Sequence, residues 1–455
     1  MKTLYQHKTL KITIVTLFIA AISTAVSAQD QLEAYVREGL TNNVAVQQRN
    51  ISYQQAEQAL RIARSYFLPT VTLLTDYTSG VGGRSIGIPV GDLLNPVYAS
   101  LNQMTNSDAF PQIQNVKQNF FPKNFYDGRV RTSLPLFNTD LYINKTIQGE
   151  QVAMKQHELA AYRRQLVFDI KAAYFNYLSA ASAVKIFESA LVLVEKNVQI
   201  NESLLKNGKT LPANLLRSQS EAEAVKAQLT SARNQNANAR KYFNFLLNRD
   251  LDADISTDNA PTVVVADTSA VSILEREELQ IVRTLKTMNE ASLRQSRLTR
   301  LPKLSAFLDL GSQASNWEWN HNSMYYLFGV QFSMPLFQGF RNTTAIRQSK
   351  LELQKTELTM RNTSLQLELA LQTARNDMQT ASRNYDASRE QLKAAHSYFN
   401  LIDKGYQQGV NTLIEFLDAR NQLTASQLQQ TVKRYEMFTS TAKLERESAS
   451  YTFVQ

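Results

Sequence analysis

The sequence predicts a mainly α protein with a smaller β part: long coiled-coil helical hairpins joined to four short strands of bilayer-crossing length. Three observations predict it: a composition poor in helix breakers, an internal repeat, and a change between seven-residue and two-residue apolar periods. Only 14 glycines and 10 prolines punctuate 455 residues. Long stretches of Ala, Leu, Gln, Glu, Lys and Arg are therefore free to run as helix.

The repeat is carried by short strings. Ser133-Leu134-Pro135-Leu136-Phe137 recurs as Ser333-Met334-Pro335-Leu336-Phe337, and Leu68-Pro69 recurs as Leu301-Pro302 with Glu57, Leu60 and Arg61 matched by Glu290, Leu293 and Arg294. The two spacings, 200 and 233, place an insertion of 33 residues between Pro69 and Pro135. Self-similarity of this kind divides the mature chain into a first repeat at 29–250 and a second at 272–455. Residues 251–271, rich in Asp, Thr and Ser, read as the linker between them.

Downstream of Phe137, Ile170, Tyr177, Val184, Leu191, Val198 and Leu205 fall on every seventh residue, with Ala173, Ala180, Phe187 and Val194 three places after the first four. The second half repeats the seam through Leu371, Met378, Tyr385, Leu392, Phe399 and Tyr406, with Ala374, Ala381, Ser388, Ala395 and Ile402. Positions a and d of a sustained heptad imply helices coiling around neighbours, and small residues at d imply close approach. A single helix from Asp140 to Leu205 would be on the order of 100 Å long. No globular core has that diameter. Each helix runs into a glycine, Gly208 or Gly409, after which a second helical stretch begins, so each half predicts a helical hairpin.

Four segments have period two. Val71, Leu73, Thr75 and Tyr77 alternate with more polar neighbours, as do Val130, Thr132 and Leu134; Leu304, Ala306, Leu308 and Leu310; and Phe328, Val330, Phe332 and Met334. Each predicts a strand of about ten residues, the length that crosses a bilayer when tilted. Tyr66, Phe67, Phe120, Phe121, Phe125, Tyr126, Trp317, Trp319, Tyr325 and Tyr326 crowd the strand ends, as aromatic girdles do in membrane barrels. A spanning sheet has to close, because an open edge in lipid leaves backbone groups unpaired. Four strands per chain reach twelve in a homotrimer, enough to leave a passage. The helices multiply likewise into a trimeric α-barrel.

At the N-terminus, Lys2, Lys8 and Lys11 precede an apolar run from Ile12 to Val26 that ends Val26-Ser27-Ala28. This reads as a signal peptide over 1–28. Its loss removes three positive charges from a formal net of +9. The remaining excess forms no run of like charge, so no nucleic-acid partner is indicated. With no cysteine, the chain has no disulfide, thiolate nucleophile or zinc-thiolate site. No segment after residue 28 reads as an apolar 20-mer, so strands are the expected way into a membrane.

In the order helix, strand pair, long hairpin, twice over, the chain resembles the TolC family of outer-membrane efflux ducts. The most specific residues are the Pro135 and Pro335 junctions, the strand entries at Pro69 and Pro302, and Tyr406-Gln407-Gln408-Gly409 followed by Glu415-Phe416-Leu417-Asp418-Ala419. The resemblance implies a twelve-stranded barrel in the outer membrane of a Gram-negative cell, surrounded by outer-membrane lipid and continued into the periplasm by a helical barrel. It implies a channel subunit of a tripartite efflux or type I secretion system, opened by a periplasmic adaptor attached to an inner-membrane pump. The adaptor-facing tips map onto Asn207, Gly208 and Lys209 and onto Gln408, Gly409 and Val410. Two acidic positions that ring the constriction map onto Glu415 and Asp418, where through-space electrostatics would favour cations. Gate contacts map onto Tyr406, Asn411 and Asn214. The last two depart from the family's arginine and aspartate, so a latch here has to be neutral or lie elsewhere. The inserted loop, 78–128, is expected on the outer side of the membrane.

No catalytic reading competes. His157, His321 and His396 stand apart, and neither a Gly-x-Ser-x-Gly elbow nor a phosphate loop is present, so no enzyme, cofactor or metal is expected. The structural alternative is a secreted coiled-coil scaffold or adhesin stalk. It accounts for the heptads but not for the paired strands and their aromatic flanks.

Overall fold

The computed structural model describes residues 31–121, 123–256 and 273–453. The leader and most of the expected linker lie outside them. The described chain forms two compact units, and each draws on both sequence halves: one takes in the chain up to Glu57, Glu150–Asn289 and Glu352 onward, the other Gln58–Gly149 and Glu290–Leu351.

The first unit is helical. After α1 (31–42) and the start of α2 (Val44–Ser65), it contains most of α4 (Thr139–Lys206), α5 (Pro212–Leu247), the first part of α6 (Glu277–Leu298), most of α7 (Arg341–Gln407) and α8 (Leu413–Glu447). Its largest core gathers Tyr35 and Val36 from α1, Leu166, Ile170 and Tyr174 from α4, Phe243 and Leu247 from α5, and Tyr435 and Phe438 from α8. By length and composition, α4 is apolar enough to cross a membrane, which the sequence reading did not expect. Part of its apolar side is packing surface, where Ile170, Ala173, Tyr174 and Val194 are buried against neighbouring helices, although only 22% of its most apolar stretch is buried within the chain. Along α7 the heptad holds: Leu371, Ala374, Ala381, Ser388, Ala395 and Phe399 are buried. Small residues at d let the partner backbone come close.

Charge pairs fasten the end of this unit away from the hairpin turns. Arg276, 1% exposed, donates to Glu447 at 2.8 Å, to the carbonyl of Arg446 at 3.0 Å and twice to Glu278. Arg164 forks onto Glu277 and also donates to the carbonyl of Tyr451 at 3.1 Å. Buried guanidinium groups of this kind are tolerated because nearly every donor finds an acceptor.

The second unit is built on one antiparallel sheet of order β1-β4-β5-β6, where β1 is Thr70–Thr78, β4 Phe125–Phe137, β5 Lys303–Ser315 and β6 Met324–Ser333. Register runs Thr72↔Arg131↔Asp309↔Leu327 across all four strands. It slips once, between Pro135 and Phe137, because proline donates no hydrogen bond to a ladder. Two faces result from the period-two alternation. On one, Val71, Leu73, Val130, Leu310, Phe328, Val330 and Phe332 are exposed and apolar. The other carries Asp76, Asp127, Arg129, Arg131, Asp309 and Tyr325. There Arg131 forks onto the 1%-exposed Asp309 at 2.8 and 2.7 Å, and Tyr325 donates to Asp127 at 2.9 Å. Among the described residues β1 and β6 each keep a free edge.

The inserted loop is not irregular. It holds a strand pair, β2 (Ser85–Ile88) with β3 (Val116–Asn119), and between them the helix α3 (Val90–Thr105).

Candidate functional site

The two hairpin turns are built alike. At the first, Lys209 N–H donates to Leu204 O at 2.8 Å and Gly208 N–H to Leu205 O; at the second, Val410 N–H donates to Gly405 O at 2.8 Å and Gly409 N–H to Tyr406 O. This paired arrangement needs a left-handed residue, and Gly208 (φ 66°) and Gly409 (φ 75°) supply it without a Cβ penalty. Asn207, Gly208, Lys209, Gln408, Gly409 and Val410 are all exposed.

The helices that follow start differently. α5 begins at Pro212 after Leu211, which offers no side-chain cap. α8 has a capping box: Thr412 accepts from Glu415 N–H, and Glu415 accepts from Thr412 N–H at 2.7 Å and from the Thr412 hydroxyl at 3.0 Å. Asn411 adds a third donor at 3.3 Å. Asn214 stands in α5 where Glu415 stands in α8, and it donates to Thr210, in the place of Asn411, at 2.9 Å. Each turn is therefore closed by the same local bond with the donor reversed. Among the described residues Tyr406 has no hydrogen bond from Asn214 or Asn411, which finish their own turns.

Hydrogen bonding, chiefly from Thr412 N–H and then from Asn411 and the Thr412 hydroxyl, holds the Glu415 carboxyl below the usual carboxylate range. Its cap is then fully formed above the ordinary glutamate pKa, about 4.3, and is lost only as pH falls through the lower folded value. A charge carried by Glu415 should thus persist unchanged from pH 8 to pH 5. Channel reversal potentials measured over that range check it; a midpoint near pH 6 would contradict it. Asp418, one turn further along α8, is exposed.

Tyr406 faces inward to a set of polar residues that the sequence did not single out. Its ring stacks on Phe416 at 4.9 Å. Its hydroxyl oxygen accepts from Asn201 at 3.2 Å and Asn197 at 3.3 Å, both on α4. Asn201 also donates to Ser218 at 3.1 Å, and Ser218 on α5 donates to Asn197 at 3.0 Å. Asn197, Asn201 and Ser218 are 2%, 1% and 1% exposed. This neutral network joins the first hairpin to the second. The heptad had Val198 and Leu205 facing inward with Val194; toward the turn Val194 and, seven residues on, Asn201 are buried in phase, while the other seam position moves one residue earlier, to Ala190 and Asn197. The only sequence signal was the pair of asparagines four apart beside that seam.

One charged contact lies close by. Arg420 on α8 is 2% exposed and pairs with Glu221 on α5, while its Nε has no partner among the described residues. Burial pushes the Arg420 guanidinium below its usual pKa.

Two helical hairpins with matched turns and an antiparallel sheet with one exposed apolar face define a class, that of outer-membrane channels with α-helical extensions. The solved Campylobacter jejuni CmeC outer membrane channel has the same fold, with a TM-score of 0.74 over 92% of this chain and 85% of that one at 16% identity. Residues 35–249 and 273–447 match the model of the outer membrane efflux protein family, and the chain belongs to that family. Among curated relatives, it is 20% identical over 332 residues to the alkaline protease secretion protein AprF of Pseudomonas aeruginosa, covering 70% of this chain and 69% of that one. It is 18% identical to outer membrane protein TolC of Escherichia coli, covering 93% and 82%. The protein is an outer-membrane channel subunit of efflux or type I secretion systems.

Proposed function

We propose that the chain is one third of a passive duct, gated at its hairpin turns by neutral buried hydrogen bonds and made cation-preferring there by Glu415 and Asp418. The observation that carries the gate is the Asn197–Asn201–Ser218–Tyr406 network, which ties the two hairpins together without a charge. The free edges of β1 and β6 support the trimer: in lipid each unpaired backbone group costs several kcal/mol, so the edges pair with those of neighbouring copies. The apolar face then meets lipid and the face with Arg131 and Asp309 lines the lumen.

The exposed turns, with Val410 at 77% and Ile414 at 74% exposure, suit contact with a periplasmic adaptor and through it an inner-membrane pump. Three copies of Glu415 and Asp418 would bring six carboxylates near one axis, a field that attracts cations and slows anions. The test is the reversal potential of the reconstituted channel under a salt gradient. Cation preference should vanish in Glu415→Gln with Asp418→Asn while conductance remains. Unchanged preference would remove these two residues from the account.

A further inference from the structure

The helix α3 in the outer loop is turned inside out. Its polar side is used internally: Asn95 donates to Ile113 O at 3.0 Å and accepts from Ile113 N–H at 2.9 Å, and Asn102 does the same with Phe110 at 2.8 and 3.0 Å. Asn115 closes the strap by accepting from Asp92 N–H and donating to the Asp92 carboxylate at 2.9 Å. The strap, residues 110–115, lies so close that a Cβ at Gly91 would sit 2.4 Å from Ile113 O. The opposite side carries Val90, Val97 and Met104 at seven-residue spacing and Leu94 and Leu101 likewise. Val97 is 52%, Met104 82% and Leu94 37% exposed. Such a stripe on a helix whose polar face is already satisfied marks an interface.

We infer that this stripe packs against α3 of the neighbouring copies, so that three helices meet on the trimer axis and cap the outer exit. The inference rests on the trimeric reading above. Three features choose this occupant. Seven-residue spacing is the pattern by which helices pack on helices. The loop continues from β1, the edge strand that pairs with the next copy in a closed barrel. A helix lying on a lipid surface carries Lys and Arg on its polar face, whereas the one charge in α3 is Asp92.

The chain has no cysteine of its own, so a single introduced one reports cleanly. In intact outer membranes, Val97→Cys, and independently Met104→Cys, should cross-link under mild oxidation into disulfide dimers in more than half of the molecules. Gln103→Cys, exposed on the other side of α3, should give at least tenfold less. Trimer content, read by native mass spectrometry on the same samples, separates the two levels. An intact trimer without cross-links, or equal cross-linking at position 103, overturns the cap and leaves the duct standing. Quenching by brominated lipid of a fluorescent probe attached to the Val97→Cys variant would also overturn it, in favour of a bilayer contact. Absence of trimers would remove the assembly reading and the cap with it.

Discussion

Tyr406→Phe combined with Asn201→Ala is expected to open the duct at rest. The Tyr406 oxygen is the acceptor for both asparagine amides, and both asparagines are buried; on the proposed gate this is the closed arrangement. Without that oxygen, Asn197 keeps a buried donor that has no partner, a penalty of about 1–3 kcal/mol. In an open turn, water satisfies the same group, so the cost falls on the closed state alone. That shift corresponds to roughly a fivefold to 150-fold change in the closed-to-open ratio for each chain. Cells carrying the variant without a cognate pump should admit a bulky hydrophilic antibiotic that the parent excludes. Because every member of the network is neutral, the leak should be the same from pH 5 to pH 9 and from low to high salt. A leak that grows with salt would point to an ionic latch instead.

Arg420→Leu should destabilise the first unit by about 3–5 kcal/mol, because it strands the partly buried Glu221 carboxylate without its partner. The paired change Arg420→Leu with Glu221→Leu should recover most of that loss, since a buried ion pair exchanged for apolar contact is often neutral or better. The Arg420 Nε already lacks an acceptor, which lowers what the pair contributes. Urea unfolding of the detergent-solubilised protein, followed by circular dichroism, measures both. A double variant as unstable as the single would show that Arg420 acts through its packing and not through its charge.

Features of the fold differ in how far the sequence disclosed them. The strands, the hairpins and the turn glycines were legible because each is a periodic or punctuated feature: alternation in Val71–Tyr77, heptads from Ile170 and Leu371, and Gly208 and Gly409 where the heptads stop. The Asn197–Asn201–Ser218–Tyr406 network was not. Apolar periodicity cannot report a buried amide such as Asn201 on the seam itself, and one of the two seam positions shifts by one residue where α4 nears its turn, which exchanges Val198 for Asn197. Asn214 and Asn411 were legible as departures from a family pattern, but their bonds to Thr210 and Glu415 belong to the turns. Helix α3 was hidden for another reason. Pro96 sits inside it and Pro89 precedes it, so its short apolar repeat read as loop.

Single-channel recording in planar bilayers distinguishes a duct closed at its turns by neutral hydrogen bonds from one closed in any other way. The purified parent and the Tyr406→Phe, Asn201→Ala variant would be inserted under the same conditions. Brief, rare openings are expected from the parent, and sustained openings of one large, cation-preferring conductance from the variant. A variant that inserts as a folded trimer and conducts no more than the parent would contradict the neutral gate.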